Sequence, residues 1–120
     1  AVSYVPQDAS FLKGSLSEFA EAQNIDESLF KTILRKMDFE RVQFEKNMED
    51  FSEGQKKKVL LAGSLCQQAH LYIWDEPLNF IDIYSRMQIQ QLIEDFSPTM
   101  IFVEHDEAFR DAIATGVVRL

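Results

Sequence analysis

One stretch constrains this chain more than any other: His70 to Asp82, reading HLYIWDEPLNFID. Four apolar residues, Leu71, Tyr72, Ile73 and Trp74, run straight into two adjacent carboxylates, Asp75 and Glu76. A short continuous apolar run suits a strand buried on both faces of a parallel sheet. Pro77 cannot donate to a ladder, so the strand ends there. The two carboxylates therefore sit at the carboxyl end of a central strand, where open α/β sheets place their ligands. One can hold a magnesium ion, which takes oxygen ligands and keeps several waters. The other can orient or deprotonate an attacking water. The competing reading makes both ordinary polar residues of a loop, and the motif alone does not separate the two.

The 120 residues suffice for one small domain with a real core, and 46% hydrophobic with 27% charged residues is ordinary globular composition. A net charge of −8 argues against broad, nonspecific nucleic-acid binding by the chain as a whole, but leaves room for a local basic patch at Lys56 to Lys58. The single cysteine, Cys66, has no intrachain disulfide partner and falls in an apolar helical stretch, so a small core residue is expected. Nothing points to an oxidising compartment, and no apolar run approaches a membrane span. The expected location is cytoplasmic, with no direct membrane insertion. Both ends are strand-like and there is no initiator methionine, which suggests a piece of a longer protein.

Along the chain, Val2 to Val5 reads as a strand that turns at Pro6-Gln7-Asp8. Ser15-Leu16-Ser17-Glu18 has the form of a capping box, so a helix starts at Leu16 with Leu16, Phe19 and Ala20 inward. Asp26 caps a second helix with Leu29, Phe30, Ile33, Leu34 and Met37 on one stripe. The charged stretch from Asp38 to Asp50 offers Val42 and Phe44 as anchors. A strong, largely buried helix is predicted over Gln55 to Gln68. After the Leu71–Trp74 strand, Asp82 or Asn79 caps a helix carrying Ile83, Met87, Ile89, Leu92, Ile93 and Phe96, which Ser97-Pro98 breaks. Thr99 to Val103 is a further strand ending in Glu104-His105-Asp106, followed by a short helix and a last strand. The second half is thus a β-α-β unit and the first half mainly a helical insert.

The start of the third helix has two readings. Backbone N–H groups and the helix dipole at Ser52 to Gln55 suit a phosphate. Ser52 can equally be a plain N-cap, with Gln55 closing a capping box. The lysines tip the balance towards the phosphate: three cations in a first turn oppose the dipole, so Lys56, Lys57 and Lys58 call for an anion nearby, although acidic neighbours such as Glu53 can serve as that anion and solvated lysines are the other alternative. Gln7 by itself reads as a polar turn residue, and His105 as a structural histidine after a buried strand.

Four features now line up in order: Gln7 after a strand, FSEGQKKK opening a helix, IWDE ending a strand and VEHD ending another. Together they resemble an ATP-binding-cassette (ABC) ATPase domain, from its Q-loop to its histidine switch, over nearly the whole chain. Phe51 to Gln55 resembles the signature motif, Leu71 to Glu76 the Walker B strand, Asn79 to Asp82 the D-loop, and His105 the switch histidine. WDEPLNFID, with SEGQKKK ahead of it, looks most like the soluble ABC-F class, and within it like the second ATPase domain of the ribosome-protection, antibiotic-resistance group.

That resemblance implies an α/β fold: a partial P-loop-NTPase-like core of parallel strands (about 1–8 and 69–120) with a helical, signature-bearing region (about 9–68). It implies ATP and Mg2+ as cofactors. Asp75 would hold magnesium, with Gln7 touching the metal or the attacking water. Glu76 would be the general base, and His105 would bond the γ-phosphate. Ser52, Gly54 and Gln55 would cradle a phosphate, while Asn79 and Asp82 would link two nucleotide sites. The implied partners are a second ABC ATPase domain, packed head to tail, and the ribosome.

Two departures from the family pattern stand out. Glu53 occupies a position where the signature usually has glycine, which puts negative charge close to a triphosphate. No G-x-x-x-x-G-K-[ST] occurs, and Gly14, Gly54, Gly63 and Gly116 are scattered. The chain alone is therefore expected neither to bind ATP tightly nor to hydrolyse it, and its open sheet edges are expected to favour self-association. Two other readings compete: the ATPase subunit of a membrane transporter, with its coupling surface around Phe11 to Phe44, and a non-catalytic, acidic α/β interaction module.

Overall fold

The computed structural model describes residues 2–6, 8–67, 71–75, 81–96 and 100–103. In chain order these form β1 (Val2–Val5), α1 (Leu16–Gln23), α2 (Glu27–Lys36), 3-10 turns at Arg41–Glu45 and Met48–Asp50, α3 (Glu53–Cys66), β2 (Leu71–Asp75), α4 (Ile83–Phe96) and β3 (Met100–Val103). The three strands make one parallel sheet in the order β1-β2-β3. The expected α/β core with a helical insert between its first two strands is therefore present. The short helix and strand expected after Val103, and the break at Ser97-Pro98, lie outside the described residues.

The register shows why the sheet can carry a site. Val5 is level with Trp74, and Asp75 with Val103. All three strands thus end on the same edge, with Asp75 at the end of the middle one. Trp74 and Tyr72 are buried on one face, whereas Ile73 on the other is only partly covered. This corrects the expectation of a strand buried on both faces. β1 shows the same asymmetry: Ser3 and Val5 are buried and Tyr4 is exposed.

A relay of polar side chains fastens the covered face to α3. Trp74 Nε1 donates to Ser64 Oγ at 2.9 Å, and Ser64 Oγ lies 2.6 Å from Ser3 Oγ. Ser3 spends its proton on Gln67 Oε1, so Ser64 is the donor in the Ser64–Ser3 pair. Every member of this buried network has a partner, which removes the cost that buried polar groups otherwise carry.

The helical region folds largely as its caps dictate. Ser15 Oγ accepts the Glu18 N–H at 3.1 Å, but the Glu18 carboxylate takes the Ser15 hydroxyl, so only half of the expected box forms. Asp26 accepts from the amides of both Ser28 and Leu29. Phe30, Ile33, Leu34 and Met37 are buried as the stripe required, each burial contributing about 1.5–3 kcal/mol. Leu29 is exposed, because it lies in the first turn beyond the edge of that stripe. Phe39 meets Phe44 and Phe51 edge-on, at centroid distances of 5.8 and 5.6 Å, and this trio anchors the charged 38–50 stretch. Val42, the other expected anchor, is exposed.

Two residues of α4 depart from expectation in the same way. Ile83 and Met87 are 77% and 65% exposed, while Ile89, Leu92 and Ile93 are buried. The helix turns its first apolar residues outward and packs through its second half.

Candidate functional site

α3 starts with a complete capping box. The Gln55 N–H donates to Ser52 Oγ at 3.1 Å, and the Ser52 N–H donates to Gln55 Oε1 at 2.9 Å. Lys56 N–H bonds the Ser52 carbonyl. Helix geometry then leaves the amides of Glu53 and Gly54 directed out of the helix start, where they suit an anion. The box and the phosphate reading are thus compatible: Ser52 and Gln55 shape the turn, and the backbone beside them supplies donors.

The three lysines that follow are not a surface patch. Lys56, Lys57 and Lys58 are 9%, 1% and 8% exposed, which corrects the expected local basic patch. Lys58 Nζ lies 3.5 Å from Asp82 Oδ1, and Lys57 Nζ donates to the Pro6 carbonyl at 3.2 Å. The charge of Lys56 acts on the Asp8 and Glu49 carboxylates. The anions that these cations call for therefore include the chain's own carboxylates: Asp82, brought in by the fold from 24 residues beyond Lys58, and Asp8 at the exit of β1.

Asp82 holds the start of α4. It accepts the Ser85 amide at 2.9 Å and the Ser85 hydroxyl at 2.8 Å. The Ser85 amide, then the Ser85 hydroxyl and the Lys58 charge, hold the Asp82 carboxyl below the usual aspartate range, against the opposing effect of partial burial. Asp82, one of the two expected caps, fills that role; Asn79 lies outside the described residues.

A cavity of about 560 Å³ opens at this junction, lined by Ser52, Gly54, Gln55, Lys58 and Asp82. Glu53, Asp38 and Glu40 also face it, so its rim is acidic. The fold therefore brings four of the nine expected site residues, Ser52, Gly54, Gln55 and Asp82, to one place. Asp75 stands at the carboxyl end of the central strand. Gln7, Glu76, Asn79 and His105 lie outside the described residues. Sequence reasoning missed the structural work of Lys57 and Lys58; the only signal was three cations placed against a helix dipole.

The ABC transporter family pattern matches residues 1–79. The chain belongs to that family. Among the relatives of this ABC domain, YdiF of Bacillus subtilis is 32% identical over the whole chain, which spans 19% of YdiF. The ATP-binding protein Uup of Caulobacter vibrioides is 32% identical over 68% of the chain, which spans 14% of Uup. Elongation factor 3 of Gonapodya prolifera is 29% identical over 96% of the chain, which spans 12% of that protein. These relatives place the domain with ATP-binding proteins of ABC-F type. Among solved structures, the ABC domain superposes on a chain of the ribosome-bound archaeal Pelota and ABCE1 assembly with a TM-score of 0.77 at 24% identity, covering 94% of this chain and 20% of that one. It superposes on RNase-L Inhibitor with a TM-score of 0.72 at 22% identity, covering 95% and 24%. Both likenesses establish the α/β ABC fold.

Proposed function

We propose that this ABC domain works as one member of a head-to-tail pair that binds and hydrolyses Mg-ATP, in an ABC-F protein that acts on the ribosome. The observation that carries the reading is the meeting of the α3 start with Asp82 around one cavity, in a fold whose three parallel strands end on a common edge. A helix start with free amides can hold a phosphate, and a carboxylate at a strand end can hold a hydrated cation. ATP supplies the phosphoryl group and magnesium offsets its charge.

Within that reading, Asp75 would hold magnesium, which would offset the charge of the phosphates, and Gln7 would contact the metal or the attacking water. Glu76 takes the proton of that water as its oxygen bonds to the γ-phosphorus and the bond to the bridging oxygen breaks. His105 hydrogen-bonds the γ-phosphate. Ser52, Gly54 and Gln55 present the α3 start to the nucleotide of the second domain, and Asn79 and Asp82 join the two sites. The ribosome as partner draws support from elongation factor 3 and from the ribosome-bound assembly among the similar proteins. The antibiotic-resistance role rests on the WDEPLNFID phrase.

The deciding experiment is calorimetric titration of Mg-ATP into this chain and into a form that also carries a P-loop, each with Glu76→Gln to block turnover. Binding by the P-loop form alone is expected. Tight binding by the 120-residue chain would mean that phosphates are held without a P-loop, and would overturn the site. No binding by either would favour the non-catalytic module.

A further inference from the structure

Lys57 is the most buried cation among the described residues, yet the reading above gives it no task. It sits four residues into α3, and its ammonium reaches across to the carbonyl of Pro6 at 3.2 Å. Pro6 is the residue that leaves β1 and precedes Gln7. On the far side of Gln7, Asp8 closes a tight turn, accepting the Ser10 amide and the Ser10 hydroxyl, each at 2.9 Å. Those bonds, and then the charges of Lys57 and Lys56, favour the ionised Asp8 carboxylate. One cation on the signature helix thus bonds the backbone carbonyl just before Gln7, and its charge acts on the side-chain carboxylate just after it.

Burying an ammonium costs free energy that a methionine of similar length would not incur. What the charge adds is direction: a donor aimed at a carbonyl 51 residues away in sequence fixes the distance between two elements in a way that apolar packing does not. The two elements joined are α3, which carries Ser52 to Gln55 at its start, and the exit of β1.

We propose that Lys57 is a positioning residue that ties the signature helix to the segment holding Gln7, so that a displacement of α3 is carried to Gln7 through the Pro6 carbonyl. Lys57 does not itself meet the nucleotide. The proposal rests on the reading of Gln7 as a site residue.

Hydrogen exchange tests the tie directly. In Lys57→Met, amides of residues 4–12 should exchange about tenfold faster, the scale of a lost hydrogen bond to a charged group, while those of residues 60–65 stay unchanged. Lys57→Arg, which keeps a charged donor, should stay near wild type. If Lys57→Met does not fold, Lys57→Gln carries the same expectation. Unchanged exchange over residues 4–12, or equal loosening of the whole chain, overturns the tie.

Turnover in the intact ATPase tests its purpose. Lys57→Met should lower kcat by roughly tenfold or more at unchanged KM for Mg-ATP, as a misplaced site residue does. In a Gln7→Ala background it should have no further effect. A full additional loss in that background overturns the proposal. If Gln7→Ala alone leaves turnover intact, the reading of Gln7 falls, whatever the exchange data show.

Discussion

At the residue scale, the side chains that matter have two tasks each. Asp82 caps α4 through Ser85 and pairs with Lys58, while lining the cavity at the α3 start. Its folded pKa is depressed, chiefly by the Ser85 amide. The ionised form is therefore the stabilised one: its contribution is complete above the ordinary aspartate value and is lost as pH falls through the folded value. Ser85→Ala removes the hydroxyl donor but keeps the amide, so the Asp82 midpoint should rise part of the way towards the ordinary value, read by carboxyl 13C shifts. An unmoved midpoint would assign the depression to the amide and Lys58 alone. Cys66 shows the opposite displacement: burial, and then the Asp26 charge, push its thiol up to about 11. That agrees with an unreactive residue packed against the core.

At the element scale, the fit of α1 against α3 depends on a missing side chain. A Cβ at Gly63 would lie 2.8 Å from Phe19 Cε1, inside any normal contact. Gly63→Val should therefore destabilise the protein by about 2 kcal/mol, the usual cost of overpacking, seen as a lower urea midpoint at unchanged slope. Phe19→Leu in the same chain should recover part of that loss, because the ring is what the new side chain meets. Gly14 answers a different need: its φ of +86° lies in the left-handed region, where its N–H reaches Glu49 and its carbonyl accepts from Met48. Those bonds bring the 8–14 loop onto the turn that leads into α3.

At the scale of the whole molecule, charge is arranged against the simple reading of an anion site. The chain carries −8, and among the described residues Asp38, Glu40, Glu53 and Asp82 share a cavity with one cation, Lys58. Glu53 is exposed on that cavity, at the helix start where the phosphate reading puts negative charge. Its removal should relieve repulsion. Glu53→Gly, in the paired and P-loop-bearing form with Glu76→Gln, is expected to bind Mg-ATP roughly fivefold more tightly by calorimetry, the effect of about 1 kcal/mol between exposed charges. Unchanged affinity would mean that the Glu53 carboxylate turns away from the nucleotide when the pair closes. Among the described residues no helix is long and apolar enough to cross a membrane.

Local chemistry was enough to read much of this protein from its residues. Caps at Ser15, Asp26, Ser52 and Asp82 and the apolar run into Asp75 all act within a few residues, and each led to the element that formed. The outward turn of Ile83 and Met87, the closeness of Gly63 to Phe19 and the burial of Lys56 to Lys58 were settled by tertiary packing. Periodicity records which residues share a face, but not which part of that face finds a neighbour. A run of lysines reads as a solvated patch until the fold brings Pro6, Asp8, Glu49 and Asp82 to meet it. A buried charge is tolerable only when partners distant in sequence converge on it, and that convergence is a property of the folded chain.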